Sequence, residues 1–581
     1  MNFFHSFRKD ILAVIQNLIQ AGNLPKGLDL EKITAEPPRD PSHGDIATNA
    51  ALILSKPAQK SPRDIAALIA EKLQSLPSVE EVSVAGPGFI NLRLSPQFWY
   101  HQLSTILQEK ERYGDATLGL GEKINLEYVS ANPTGPIHAG HGRVAVVADV
   151  LANLLEKVGY RVLREYYIND AGGQAEKLAC STYLRYKEAL GENIGEIPEG
   201  YYPGDYLKEV GQALAERDGA KWLTLSEQEW KEPFREFAVN AMMVKIREAL
   251  ALMGITHEVF TSETELHRSG ILEEALEILK KQGLIYEGVL EPPKGKGAED
   301  WEPREQLLFR STHFGDTTDR ALQKADGSWT YFAGDIAYHY DKFRRGYTHM
   351  INVWGADHGG TVKRITAAVE AVTGGKGHLD VILSQIVSFT DGGVPFKMSK
   401  RAGNFIEVQD VIDKVGKDPY RFMMISRKSD AQLDFDFQKV LEQTKDNPVF
   451  YIQYAHARCH SVMRMAQEVF PEWEKIQPSS LELLTDKDEL HLLKLLSGWP
   501  RQVENAAIMR EPHRLCYTLY EIAQQFHMLW NKGKDNAILR FILPQEAELT
   551  RARLAMVQGV AYVIASGLFI FGVTPVKEMR E

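Results

Sequence analysis

A short loop with two histidines, set between a predicted strand and a predicted long helix, constrains this chain more than any other feature. The strand is expected over residues 124–129 and the helix over residues 140–158, just before Gly159. His138 and His141 come where that helix opens. Such a loop directs backbone N–H groups and the positive end of the helix dipole towards a bound anion. Strand, turn and helix in this order predict a parallel α/β sheet.

The residues alone leave three interpretations of this loop open. The imidazoles could donate N–H groups to phosphate oxygens while negative charge develops in a transition state. They could also lie on an ordinary surface turn, or form an HxxH metal pair. The metal pair is disfavoured because no third Cys, His or acid stands at ligand spacing on the same element.

A second cationic segment, FKMSKRAGN, begins further along, where Lys397 follows His138 by 259 residues. Lys397 and Lys400 stand beside a flexible Ala-Gly pair, which suits a loop that closes on a polyphosphate. By itself such a charge run is usually a solvated turn, but the spacing leaves room for the second half of a Rossmann-type sheet. There is no GxxxxGK[ST] and no GxGxxG after a strand, which excludes Walker-type nucleotidases and ordinary dinucleotide-binding proteins.

Three domains are expected along the chain. The first is a small α/β unit, since helical periodicity is followed by two alternating strands around a Gly-Pro-Gly turn. The second is the Rossmann-type part, with further strands over residues 350–354 and 380–389. The third looks almost wholly helical. The expected boundaries are 1–107, 112–440 and 441–581, with a polar, helical insertion near 170–300.

Composition limits the function classes. With 67 Lys and Arg against 78 Asp and Glu, the net charge of −11 argues against a protein that coats duplex nucleic acid indiscriminately. Three dispersed cysteines without a CxxC pair predict no disulfide framework, no thiolate zinc site and a reducing, cytoplasmic compartment. The 23 uncharged residues between Arg553 and Lys577 could span a bilayer, but their polar and glycine residues favour a helix buried in a bundle.

The two motifs, in this order and setting, resemble the two signatures of class I aminoacyl-tRNA synthetases, and the flanking sequence resembles the arginyl-tRNA synthetases. The resembling stretches are ANPTGPIHAGH, FGDTTDRALQKADGSWTYFAGDIAYH, WGADHGG, FKMSKRAGNF and NPVFYIQYAHAR. The stretches HGDIATNAALIL and GPGFINLRL are similar to that family's amino-terminal extension. WGADHGG departs from the ADHH form common in bacterial relatives. The resemblance implies a class I Rossmann-type catalytic domain, an amino-terminal α/β domain that touches the tRNA elbow, and an all-α anticodon-binding bundle.

The resemblance also implies the reaction and its residues. L-Arginine would be attached to tRNA(Arg) through an arginyl adenylate, with release of AMP and pyrophosphate. By this resemblance, the catalytic residues are His138, His141, Lys397 and Lys400. The same four residues would bind ATP, together with Pro133, Gly135, Gly140, Met398 and Ser399. Mg²⁺ would accompany ATP, and we expect no structural metal, no membrane association and a monomer.

Arginine recognition and RNA recognition are assigned in the same way. The arginine pocket is matched by Glu127, Asn132, Tyr331 and Asp335, together with Asp357 and His358. A guanidinium needs planar acidic acceptors, which agrees with these residue types. In the helical tail, Tyr451, Tyr454 and Arg458 could stack on bases of a single-stranded RNA loop, although a core stripe is the alternative for each.

Three rival functions are weaker. A tRNA-binding paralogue without turnover would have no reason to retain both motifs. A small HxGH nucleotidyltransferase is disfavoured by the length and the helical tail. A cysteinyl-tRNA synthetase would need a zinc-binding thiolate cluster.

Overall fold

The computed structural model of the chain describes residues 2–290, 304–324, 326–396, 406–473 and 480–579. Its amino-terminal elements are α1 (Phe3–Gln20), β1 (Ala35–Glu36), β2 (Ile46–Thr48), α2 (Ala50–Ala58), α3 (Pro62–Leu73), β3 (Val79–Ala85), β4 (Phe89–Leu94) and α4 (Pro96–Glu109). The strands form an antiparallel sheet in the order β1-β2-β4-β3, so the two predicted strands around the Gly-Pro-Gly turn are confirmed. Helix α3 starts where Ser61 accepts the Asp64 N–H at 3.1 Å, with Pro62 at its first position.

The central part carries the main sheet. Its elements are β5 (Lys123–Tyr128), α5 (Ala139–Lys157), β6 (Arg161–Ile168), α6 (Gly173–Ala189), α7 (Tyr206–Asp218), α8 (Glu227–Leu252), β7 (Val259–Ser262), α9 (Glu263–Arg268), α10 (Ile271–Lys281), β8 (Ile285–Gly288), β9 (Gln306–Phe309), β10 (Arg320–Ala321), α11 (Tyr331–Arg344), β11 (His349–Gly355), α12 (Val362–Val372), β12 (His378–Ser384), β13 (Val387–Asp391), β14 (Val394–Pro395), α13 (Val408–Val415), α14 (Lys417–Ile425), β15 (Leu433–Asp436) and α15 (Phe437–Leu441). Strands β12-β11-β5-β6-β7 form a parallel sheet in that order.

The order of this sheet predicts where a ligand binds. Strand β5 comes first in the sequence but lies inside the sheet, with β6 on one side and β11 on the other. Later strands are therefore added first on one side of β5 and then on the other, so the strand order reverses beside β5. In open parallel sheets ligands bind at the carboxyl ends of the strands beside such a switch point. Strand β5 is buried on both faces, because Ile124, Leu126 and Tyr128 are apolar and Asn125 and Glu127 are paired with other polar groups.

Two local expectations differ from the structure. The predicted strand over residues 380–389 is two strands, since the chain turns at Gln385, whose N–H donates to Ser429 O at 2.8 Å. Strand β13 then pairs with β14 and β15 in a separate sheet. Only Ser384 and Gln385 separate the two apolar stretches here, and without Gly or Pro they give no strong turn signal in the sequence. Strand β7 lies within the stretch expected as an insertion, yet it pairs with β6 in the main sheet, and four half-buried residues give no alternation that would reveal it.

The last part is a helical bundle. Its helices are α16 (Pro448–Val469), α17 (Lys487–Ser497), α18 (Trp499–Met509), α19 (His513–Asp535) and α20 (Ala547–Ile570). Among the described residues, only α20 is long and apolar enough to cross a membrane, and 83% of its most apolar window is buried within the protein. This burial agrees with the core-helix interpretation of the uncharged stretch.

Arg421 of α14 joins the bundle to the central part. Its buried guanidinium pairs with Asp149 of α5 at 2.6 Å and donates to Met253 O, at the end of α8, at 2.8 Å. It also donates to Phe571 O, at the end of α20, at 2.7 Å. A buried ion pair leaves an uncompensated charge when one partner is removed.

We therefore expect Arg421→Met to lower stability by about 3 kcal/mol, because Asp149 stays buried and keeps only the more distant of its two cations, Arg164 at 3.7 Å. Arg344→Met is a matched control, since Arg344 pairs with Glu274 at 2.7 Å with both side chains almost half exposed. That surface pair should contribute at most about 1 kcal/mol. Scanning calorimetry measures both, and equal shifts of the two variants would contradict the prediction.

Candidate active site

A cavity of about 760 Å³ opens at the carboxyl ends of β5, β6, β11 and β12, beside the switch point of the sheet. It is lined by most of the predicted site residues, namely Glu127, Asn132, His138, Gly140, His141, Tyr331, Asp335, Asp357 and His358. Pro133 and Gly135 belong to the same loop as the histidines without lining the cavity. Lys397, Met398, Ser399 and Lys400 lie outside the residues that the structure describes.

The histidine pair forms one end of the cavity. His138 is the N-cap residue of α5 and His141 lies in its first turn, with the two ring centroids 3.6 Å apart. Burial lowers the pKa of His138 and, with the charge of its neighbour, lowers the pKa of His141 to about 4. Both imidazoles are therefore neutral at pH 7, each with one N–H to donate. Nδ1 of His141 is buried and has no hydrogen-bond partner within the described ranges.

The segment after the second motif returns to the histidine loop. Ala139 N–H donates to Ile406 O at 2.6 Å, and Val408 N–H donates to Ile137 O at 3.3 Å. His138 and Glu407 form the bridge between these two hydrogen bonds. The two motifs, 259 residues apart in sequence, are thus joined through backbone pairing at the end of the second.

A buried ion pair lies at the other end of the cavity. Lys342 is fully buried and donates to Glu127 Oε2 at 2.8 Å and to Asn352 Oδ1 at 3.2 Å. Ser130 Oγ donates to the other carboxylate oxygen, Glu127 Oε1, at 3.1 Å. The charge of Glu127 is therefore compensated inside the protein, which sequence spacing could not predict.

Within the described chain, two further carboxylates at this end have no buried ammonium group against them, although the charge of Arg364 acts on Asp335 and His267 lies 3.7 Å from Glu263. Asp335 makes no side-chain hydrogen bond or ion pair with any residue in the described part of the chain. Burial, with the nearby charge of Glu127, raises the pKa of Asp335 to about 7. Glu263, the first residue of α9, lines the same cavity and was not identified from the sequence. Burial and the charges of Asp335 and Asp170 raise the pKa of Glu263 to about 7.

Helix α11 supplies Tyr331 and Asp335 from one face, as their spacing predicts. Thr330 caps the helix by accepting the Ala333 N–H at 3.3 Å. Tyr331 stands at the rim with 54% of its surface exposed, and Asp335 lies one turn deeper. His339, one turn further, donates from Nδ1 to Asp335 O at 2.7 Å and so fixes the backbone that carries Asp335.

Asp357 and His358 occupy the turn after β11. Their side chains are 81% and 59% exposed, and 3.6 Å separates the closest carboxylate oxygen and imidazole nitrogen. The charge of Asp357 acts on His141, so Asp357 lies towards the histidine end of the cavity.

The tail residues form a cluster on α16. Arg458 donates to Tyr454 Oη and lies over the Tyr454 ring at 4.1 Å and the Trp530 ring at 5.1 Å. Tyr451 packs against His527 with ring centroids 4.5 Å apart. All three predicted residues are half-buried, which leaves part of each surface accessible.

Histidines at the head of the helix after the first sheet strand, a cavity at the switch point and a helical tail bundle agree with the architecture that the resemblance to class I aminoacyl-tRNA synthetases implies. Residues 102–458 match the family model for tRNA synthetases class I (R), catalytic domain. Residues 5–94 match the arginyl tRNA synthetase N terminal domain, and residues 452–579 match the DALR anticodon binding domain.

Relatives identify the particular family. The chain is 56% identical to an arginine–tRNA ligase of Parvibaculum lavamentivorans and 52% identical to one of Rhodospirillum rubrum, each over 100% of both chains. A putative arginyl-tRNA synthetase structure from Campylobacter jejuni is 33% identical, with a TM-score of 0.72 over 84% of this chain and 100% of that one. The Thermus thermophilus arginyl-tRNA synthetase shares the fold, with a TM-score of 0.71 at 21% identity over 98% of this chain and 100% of that one.

The chain belongs to the arginyl-tRNA synthetase family, whose characteristic reaction is the ATP-dependent attachment of arginine to tRNA(Arg) through an arginyl adenylate. The family resemblance and the architecture expected from the sequence are confirmed.

We expect Lys342→Met to destabilise the central part by about 3–5 kcal/mol, because Glu127 would remain buried without a cation. The double variant Lys342→Met with Glu127→Gln removes both charges and should recover part of this loss. Scanning calorimetry compares the melting transitions of the three proteins. A double variant that melts no higher than Lys342→Met would contradict a role for the charge pair.

Proposed function

We propose that the cavity binds arginine at its acidic end and ATP at its histidine end, so that the two react within it. The observation that carries this proposal is the continuity of one cavity from the carboxylate of Asp335, which lacks a partner within the described chain, to the neutral histidine pair. The catalytic activity of the family requires these two substrates to meet before tRNA is charged.

The guanidinium would lie between Asp335 and Glu263. Among the described residues, neither acid is held by a buried ammonium group, whereas Glu127 is paired with Lys342 at 2.8 Å. Arg364 lines the same cavity and its charge acts on Asp335, and His267 lies 3.7 Å from Glu263. Glu127, whose charge is balanced by Lys342, would form part of the pocket wall, and Tyr331 would lie at the pocket rim. Asn132 donates its amide N–H to Gln174 Oε1 at 2.7 Å, which leaves its carbonyl oxygen to accept from the α-ammonium group.

ATP would occupy the loop that runs from Pro133 through Gly135 to Gly140. The N–H groups of His138 and His141 and the amino end of α5 favour negative charge on the phosphates. The arginine carboxylate attacks the α-phosphorus, pyrophosphate leaves, and the terminal ribose hydroxyl of tRNA then takes the arginyl group. The chemistry needs positioning and charge stabilisation and no protein nucleophile. Lys397 and Lys400, with Met398 and Ser399, are assigned to the pyrophosphate by the motif alone.

Mg²⁺ would enter with ATP. Within the described chain no group of three His, Cys, Asp or Glu side chains is arranged to hold a metal, and Asp357 is the exposed carboxylate at the histidine end. This donor set fits an ion held mainly by phosphate oxygens with at most one or two protein carboxylates. Its contribution when bound is neutralisation of phosphate charge.

The remaining assignments concern partners and location. Tyr451, Tyr454 and Arg458 present aromatic and guanidinium surfaces that suit stacking on bases of the anticodon loop. The amino-terminal unit would contact the tRNA elbow. We propose a cytoplasmic monomer; the described cysteines are free thiols, as a reducing compartment permits.

The arginine site is tested with Asp335→Asn. Loss of a charged acceptor should lower kcat/KM for arginine by about 10- to 100-fold, because a hydrogen bond to a charged group contributes about 1.5–3 kcal/mol. KM for ATP should stay nearly unchanged. Glu263→Gln should act in the same direction. Asp341→Asn is the matched control, because Asp341 lies on the same helix and pairs with Arg345 at 2.8 Å outside the cavity. Normal arginine kinetics in Asp335→Asn would remove this residue from the site.

The raised pKa values of Asp335 and Glu263 predict a pH dependence. Below about pH 7 these acids are largely protonated, and a guanidinium binds the ionised form, so KM for arginine should fall as the pH rises through about 7. Arginine binding should correspondingly release protons near pH 7, which titration calorimetry in buffers of different ionisation enthalpy measures. The dependence should flatten in Asp335→Asn. A constant KM between about pH 6 and 8 in the unmodified protein would refute the assignment.

A further inference from the structure

The stretch between β6 and β7 reaches back to the histidine loop. Tyr206, the first residue of α7, donates its hydroxyl to Thr134 O at 2.8 Å. Gln174 of α6 accepts the Asn132 amide at 2.7 Å. Two helices that the parallel sheet does not itself require therefore hold the loop between Asn132 and Thr134, and Thr134 is only four residues before His138.

The Tyr206 ring lies in a slot formed by two glycines. A Cβ added to Gly204 would stand 2.1 Å from Tyr206 Cε1, and one added to Gly135 would stand 3.0 Å from the Tyr206 hydroxyl oxygen. Real Cβ atoms do not approach as closely as 2.1 Å, so a side chain at Gly204 would displace the ring, whereas one at Gly135 would press on the hydroxyl end and require a small shift. Gly135 belongs to the histidine loop and Gly204 to the turn before α7, so the ring joins the two segments.

The Tyr206 hydroxyl can donate to the Thr134 carbonyl over a wide pH range. Burial, with the nearby charges of Tyr202 and Glu407, raises the pKa of Tyr206 to about 12. The hydroxyl therefore stays protonated, and donates, at any pH at which the protein works. Other groups restrain the loop as well: Pro133 and Pro136 fix their own φ angles, and the Thr134 N–H donates within the loop to Asn132 O at 2.7 Å. The Tyr206 hydroxyl adds a restraint on the Thr134 carbonyl from outside the loop.

We propose that Tyr206 is a positioning residue for the ATP-consuming step, which fixes the turn of residues 133–136 and thereby sets the place of His138. This inference rests on the proposed assignment of ATP to the histidine loop. It gives the α6–α7 part of the insertion a function: the insertion acts as a support for the nucleotide loop.

Tyr206→Phe keeps the ring and removes the hydrogen bond. We expect kcat/KM for ATP to fall about three- to tenfold, the size of one neutral hydrogen bond, while KM for arginine stays unchanged. Tyr183→Phe is the matched control, because Tyr183 donates to Trp222 O at 3.3 Å within the insertion core, away from the loop. Aminoacylation at saturating tRNA, with ATP and arginine varied in turn, measures both. An equal loss in Tyr183→Phe, or a KM for arginine that rises together with the loss in kcat/KM for ATP, would overturn the inference.

Gly204→Ala tests the slot independently. The added methyl group should displace the ring and break the same hydrogen bond, so we expect a fall in kcat/KM for ATP at least as large as in Tyr206→Phe. Because the bond is then already lost, the double variant Gly204→Ala with Tyr206→Phe should be no worse than Gly204→Ala alone. Additive losses would show that the two residues act separately, against the proposal.

His138→Ala separates this inference from the proposed function. It should lower turnover about 10²–10³-fold, as for loss of one electrostatic donor. If His138→Ala is impaired while Tyr206→Phe and Gly204→Ala are normal, the positioning role fails and the proposed site stands. If His138→Ala has normal turnover, the proposed site fails and the inference fails with it.

Discussion

The ion pair between Lys342 and Glu127 is the constraint around which the catalytic centre is arranged. A fully buried ammonium group is tolerable only beside a carboxylate and further acceptors, and here Glu127 and Asn352 provide them. The pair connects the end of β5 to α11 and β11, the elements on either side of the switch point. Because Glu127 is neutralised from within, the acids left to meet a cationic substrate are Asp335 and Glu263. Under the proposed function, the pair thereby leaves recognition of the guanidinium to these two carboxylates.

The two ends of the cavity use burial in opposite ways. Burial raises the pKa of the acids to about 7 and lowers that of His141 to about 4, so both ends tend towards their neutral forms when no substrate is bound. An empty cavity thereby avoids much of the cost of isolated buried charge. Under the proposed function, a guanidinium at the acidic end would favour the ionised carboxylates, while the histidines would remain neutral and donate N–H groups to phosphate oxygens.

Local features of the fold were predictable from the sequence, and long-range pairings were not. The strand, loop and helix around the histidines follow from short-range patterns, as do the Ser61 cap and the common face of Tyr331 and Asp335. Glu263 could not be identified in this way, because an acid in the first turn of a helix is ordinary and its approach to Asp335 depends on tertiary packing. Lys342 was missed for the same reason, since it lies 215 residues from Glu127. The break at Gln385 was missed because Ser384 and Gln385 carry no Gly or Pro turn signal.

Helix α5 is the element through which the peripheral parts reach the catalytic centre. Its amino end carries His138 and His141, and the loop before it is supported by Tyr206 of the insertion. Its middle carries Asp149, which pairs with Arg421. Arg421 also donates to the carbonyl oxygens of Met253 and Phe571, at the ends of α8 and α20. Most side chains of this 19-residue helix are buried, and a closely packed interior transmits strain between its neighbours. Contacts from the bundle and from the insertion therefore both bear on the element that carries the histidine pair.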